Sequence, residues 1–360
     1  MKIVYPRHCV YQPKRCYIRG LAAIAQPIAH REPGWIIGRS VDLSLVIGSG
    51  FAGYLYLALY TIFHLPASFL WWFWSLGFDG THIFGTATRT FFDREARLRH
   101  RWLLFGSLAL FFSLGPAMVL AGLKGYLALL IGVWAYYHVV RQHYGFMMLY
   151  KVKNRDLRAL DNTLDRLFLG VMMIFPPFLR FFIRHPKELG LPFSLARYET
   201  GAWVVVGITL AVYLARQIVR LTNSEPFNRP KFLLLVAVVP LHWVTFAYVS
   251  WQAATPVVTI VHNLQYHAIV WFHNRNRYGS SESASRNGWL PVAVSRNLLI
   301  YAAIALAFSA AYRIPGAHLQ NVSDLAFGFF GGFGMTHYFL DGRIWRVRHD
   351  PGLREALQLA

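Results

Sequence analysis

Cysteine is nearly absent. The 360-residue chain has two, Cys9 and Cys16, both in a basic N-terminal stretch and not spaced as a CxxC. A disulfide framework, a zinc knuckle and thiolate chemistry are thereby excluded. Charge is scarce as well: charged residues are 14 % of the chain, where soluble domains carry about a quarter. Acidic side chains are the rarer sign, 16 against 36 Lys and Arg, for a net charge of +20. An excess of this size suits nucleic acid, but here the charges sit in short clusters between apolar runs. That is the pattern of membrane loops, and no nucleic-acid partner is expected. The first forty residues lack a compact apolar stretch ending at a small-residue cleavage site, so no removable signal peptide is expected.

What the chain has is apolar length. Hydrophobic residues make up 56 % and the mean hydropathy is +0.36. A bilayer core takes about 20 mostly apolar residues per helix. Ten such runs are expected, at roughly 43–63, 67–91, 102–121, 126–150, 165–183, 201–220, 232–250, 255–275, 290–312 and 323–345. The connections alternate in character. "DREARLRHR", "KVKNRDLR", "RLTNSEPFNRPK" and "NRNRYGSSESASRNG" are rich in Arg or Lys, whereas "HLPAS", "GLKG", "WQAAT" and "RIPGAHLQN" carry one positive charge or none. The positive-inside rule then puts both termini in the cytoplasm. The expected fold class is all-α, a polytopic integral membrane bundle of about ten transmembrane helices. It comprises a basic arm over 1–42, a helical domain over 43–345 and a tail over 346–360, and a bacterial inner membrane is the expected location.

Histidine breaks this apolar pattern. His82 falls in the second run, His138 and His143 in the fourth, His262, His267 and His273 in the eighth, and His337 in the tenth. All four runs share one direction. In each, a histidine lies roughly eight residues before the cytoplasmic end, about 12 Å at 1.5 Å per residue. Ionisable groups inside a membrane are costly and mark functional sites, so these seven are the expected metal ligands. For His273, close to the interface, a headgroup-facing position is the alternative. His242, beside Pro240 in "VVPLHWVTF", is expected to make a helix–helix hydrogen bond instead.

Carboxylates accompany the imidazoles. Asp79 precedes His82 by three positions and Asp341 follows His337 by four, spacings that share a helix face. Each is expected to ligate the metal or to accept from a ligating imidazole. Pairing of Asp341 with Arg343 or Arg346, and a cap at Gly80 for Asp79, are the structural alternatives. His138/His143 and His262/His267 have the form H-x4-H, and positions five apart diverge by about 140° on an ideal helix. A π-bulge corrects the phase, or two metals are served, or one histidine of each pair ligates. The densest stretch, "HNLQYHAIVWFHN", is expected to be the principal ligand helix. There His267 is a direct ligand, His262 a ligand or gate, and Tyr266 and Gln265 hydrogen-bond partners, with Gln142 joining the same pocket.

Neutral imidazole suits Zn, Cu, Fe and Ni, and this donor count exceeds what one structural zinc requires. The expectation is a cytoplasm-facing centre of two iron ions that uses O₂ on a lipophilic or lipid substrate, supplied with electrons by a donor protein. A haem b held by two histidines, a zinc site, a metal or proton transporter and a metal-free lipid transferase are the alternatives. The histidine layer resembles that of the polytopic membrane di-iron enzymes: fatty-acid desaturases and hydroxylases, alkane hydroxylases and Brp/Blh-type β-carotene oxygenases. Architecture and ligand type carry the resemblance. The desaturase boxes HxxxH and HxxHH are replaced by "HVVRQH" and "HNLQYH", and no HH doublet occurs.

Overall fold

The computed structural model describes residues 34–279 and 287–359. Most of the 1–42 arm, with Cys9 and Cys16, lies outside them. Helices in chain order are α1 (Arg39–Thr61), α2 (Ala67–Trp74), α3 (Gly80–Arg89), α4 (Arg94–Arg99), α5 (Arg101–Leu120), α6 (Lys124–Lys153), α7 (Ala159–Arg184), α8 (Ala196–Thr222), α9 (Arg229–Tyr248), α10 (Trp251–Tyr278), α11 (Trp289–Arg296), α12 (Leu298–Gln320), α13 (Asp324–Ile344) and α14 (Pro351–Ala356). No strand occurs among the described residues.

Six helices, α1, α5, α7, α8, α9 and α12, are long and apolar enough to cross a membrane, which marks an integral membrane protein. The other four expected runs are helical too: α2–α3, α6, α10 and α13. These are the segments that carry the histidines, and their polar residues are what lowers their hydropathy. α10 is the hub, packed on α1, α3, α6 and α9, so its polar side chains face protein rather than the surroundings. A π turn at Ser75–Asp79 joins α2 to α3, where Asp79 and Gly80 interrupt the apolar run.

The ninth run is displaced by about two turns from its expected place. α11 stops at Arg296, and the Asn297 side chain caps α12 by accepting from the amides of Leu299 (2.9 Å) and Ile300 (3.2 Å). The helix then runs to Gln320, so most of "RIPGAHLQN" is helix rather than connection. Glycine sets the tightest crossing. A Cβ on Gly115 of α5 would lie 2.0 Å from the carbonyl oxygen of Gly328 on α13, so only glycine permits that approach. The tail folds back: Leu353, Leu357 and Leu359 are buried, and Asn276 Nδ2 of α10 donates to the Ala356 carbonyl.

One polar network had no counterpart in the sequence reading. Lys151 and Lys231, each 0 % exposed, both hold Asp165, which also accepts from Tyr213 (3.0 Å); Arg220 pairs with Asp156 and Arg216 with Asp161. This cluster ties α6, α7, α8 and α9 together at one end of the bundle.

Candidate metal centre

Four imidazoles from four helices converge. His82 (α3), His138 (α6), His262 (α10) and His337 (α13) are all buried. Ring centroids are 4.5 Å apart for His82 and His337, 4.7 Å for His138 and His337, 4.9 Å for His138 and His262, and 5.3 Å for His82 and His262. Asp341 completes the group. Two sets have ligand atoms close enough to hold an ion: His82, His262 and His337, and His138, His337 and Asp341. Because both sets contain His337, they describe one donor-rich volume.

Helix geometry explains the convergence. Asp341 lies four residues after His337 and Thr86 four after His82, so each helix presents two polar groups on one face. Gly85 lets the α10 helix press close: a Cβ there would meet Tyr266 Cε1 at 2.7 Å. The Tyr266 hydroxyl then donates to Asp341 Oδ1 at 2.8 Å and sits 2.7 Å from Thr86 Oγ1.

Hydrogen bonds fix the ring orientations. His82 Nδ1 faces the Asp79 carbonyl oxygen at 2.5 Å. A carbonyl only accepts, so Nδ1 carries the proton and Nε2 presents its lone pair. That Nε2 lies 3.0 Å from His337 Nε2. On its other side, His337 Nδ1 meets Thr86 Oγ1 at 2.7 Å, and Thr86 donates to Asp341 Oδ1 at 2.7 Å. An imidazole whose Nδ1 is held by an oxygen acceptor is the usual arrangement of a metal-ligating histidine. His138 Nε2, which lies 3.9 Å from Asp341 Oδ2, and His262 Nδ1 are buried with no hydrogen-bond partner among the described residues. In a membrane interior such atoms are expensive to leave unmatched.

The donor set fits an ion. Two nitrogens 3.0 Å apart, each about 2.1 Å from a common metal, subtend ~90° there, the angle between neighbouring ligands of an octahedral ion. Two or more imidazoles with a carboxylate form a set that suits non-haem Fe(II) with positions left open. A macrocycle has no room between nitrogens 3.0 Å apart, so a haem does not fit the His82/His337 pair.

Several expected site residues stand elsewhere. His267 is hydrogen-bonded at both ring nitrogens, Nδ1 to the Tyr301 hydroxyl (2.8 Å) and Nε2 to the Thr81 hydroxyl (3.0 Å). His262 takes the place expected of it, because the pair diverges by about 140°. His143 turns away from His138 for the same reason, toward His242, with ring centroids 5.8 Å apart. His273 accepts from Arg89 and meets Asn274 Oδ1 at 3.1 Å. The Asp79 carboxylate pairs with Arg313 on α12 through Oδ2 and keeps Oδ1 4.0 Å from His82 Nδ1, while its main-chain oxygen takes the hydrogen bond from that ring. Gln142 and Gln265 are struts: Gln142 Nε2 donates to the His262 carbonyl (2.8 Å) and Gln265 Nε2 to the Val46 carbonyl (2.8 Å).

Thr86 was missed, although its position one turn after His82 was visible. No family model, curated protein or solved structure matches this chain. The reading of the site therefore rests on its geometry.

An apolar groove of about 420 Å³ runs along α6 from Gly125 to Tyr136, walled by Ile174, Phe178, Phe181 and Trp251. Its inner end, Tyr136, lies on the face of α6 that carries His143, about 160° around the helix from His138.

Proposed function

We propose that this protein is a membrane oxidoreductase that holds iron, two ions in all, and acts with O₂ on a lipophilic substrate. The observation that carries the reading is the His82–His337 pair. Its Nε2 atoms stand 3.0 Å apart and His82 opposes a lone pair to its neighbour, within a ring of two further imidazoles and a carboxylate.

His82, His138, His262, His337 and Asp341 would hold the ion. Bound iron supplies the activation of O₂ toward an unactivated C–H or C=C bond. The chain's own residues orient and move protons. The Asp79 carbonyl and Thr86 keep His82 and His337 in the ligating orientation, and the Tyr266 and Thr86 hydroxyls both donate to Asp341 Oδ1. Each hydroxyl can exchange its own proton with Asp341 directly; with both protons directed there, the 2.7 Å Tyr266–Thr86 contact carries none. The apolar groove along α6 is of a size that takes one chain of a lipid-like substrate.

The topology follows the charge alternation: ten crossings, both termini and the Arg-rich connections in the cytoplasm, and an electron-donor protein approaching from that side. A bacterial inner membrane is the corresponding location. The test is oxygen uptake by the protein in liposomes, driven by a chemical reductant, with lipid extracts screened by mass for gain of oxygen or loss of two hydrogens. Uptake and product that disappear in His337→Gln support the proposal. Equal uptake in the variant overturns it.

A further inference from the structure

A second group of buried polar atoms lies outside the five-residue centre. His143 on α6 is 0 % exposed; its ring nitrogens make no hydrogen bond of ordinary geometry among the described residues, and the Gln265 side chain is the polar neighbour beside it. Opposite it, His242 on α9 is equally buried. Its Nδ1 lies 2.8 Å from the Tyr136 oxygen, whose proton goes to the Met173 carbonyl. With that hydroxyl proton committed, His242 Nδ1–H is the donor and Nε2 is a bare lone pair, without a partner among the described residues. Thr245, three residues on and on the same face of α9, has an unpartnered buried hydroxyl as well.

His242 repeats the arrangement of His82 and His337: Nδ1 is tied to an oxygen while Nε2 is left bare, with the His143 ring facing it at 5.8 Å between centroids. We propose that His143 and His242 hold a second transition-metal ion, with Tyr136 positioning His242 and Thr245 offering an oxygen. This deepens the reading above and rests on it for the number of ions, while its location rests on a different set of atoms. It also gives the H-x4-H spacing of α6 a purpose. The angular divergence of about 140° that sends His143 away from His138 lets one helix serve two ions on two faces. With two imidazoles rather than four, the second ion binds more weakly than the first.

The test is cobalt(II) titration of metal-depleted protein in detergent, followed by visible absorption and by elemental analysis of the gel-filtered chain. Two equivalents in the native protein, the weaker one lost in His143→Gln and in His242→Gln, support the proposal. Should those variants fail to give a symmetric gel-filtration peak, Tyr136→Phe decides. It removes only the oxygen that orients His242, and is expected to weaken the second equivalent about 10–100-fold while leaving the first unchanged. One equivalent in the native protein, kept in His242→Gln but lost in His337→Gln, overturns the second site and leaves the centre standing; a water bridging His143 and His242 gives this result. No equivalent at all overturns both.

Discussion

Replacing Thr86 by valine removes one oxygen and keeps the side chain's shape. That oxygen touches three groups of the centre, His337 Nδ1, Asp341 Oδ1 and Tyr266 Oη, each at 2.7 Å. A hydrogen bond to a charged group contributes about 1.5–3 kcal/mol. Loss of an oxygen that holds a ligating imidazole lowers metal affinity by about 10–100-fold, which is about 1.4–2.8 kcal/mol at 1.4 kcal/mol per decade. The two routes agree, so Thr86→Val should weaken binding of the first ion by one to two decades on this scale. The assay is competition with a chelator of known affinity on detergent-purified protein, with folding checked by gel filtration. The control is Thr90→Val, just past the end of the same helix; the Thr90 hydroxyl bonds only the Thr86 carbonyl among the described residues. Equal affinity in Thr86→Val and native protein would refute the reasoning, as would an equal loss in Thr90→Val.

Three other outcomes are expected. His262→Gln should lose the first ion, whereas His267→Gln should keep it and lower thermal stability through its bonds to Tyr301 and Thr81; metal content per folded chain decides, and the reverse pattern restores His267 as the ligand. Gly115→Ala should destabilise by about 1–3 kcal/mol, because its Cβ would meet the Gly328 carbonyl; unchanged thermal unfolding in detergent contradicts that crossing. In a chain with Cys9 and Cys16 replaced by serine, Asn223→Cys should be labelled from the cytoplasmic side only and Asn321→Cys from outside only, since both positions are exposed; the opposite pattern inverts the proposed topology.

Much of the architecture was readable because membrane spans depend on composition over about 20 residues, a signal that survives local error. Helical segments coincide with nine of the ten expected runs and overlap the other. The ninth was displaced because Asn297, an isolated cap within an apolar stretch, outweighed the hydropathy of Leu290–Arg296. Depth along the helix was legible too: it put His82, His138 or His143, His262 or His267, and His337 in one layer. The facing was not. Depth cannot separate His262 from His267, or His138 from His143, because the choice depends on which neighbouring helix stands across. The same limit concealed the partners of Asp79 and His242. Arg313 reaches Asp79, and Tyr136 reaches His242, only through contacts between helices distant in sequence.

The central claim is a non-haem metal centre held by histidines from four helices. Elemental analysis of the purified protein, read beside its visible spectrum, tests it most directly. The account predicts bound iron without a Soret band, lost in His337→Gln while the chain stays folded. A strong Soret band, or no transition metal in a protein that is folded and active, would contradict it.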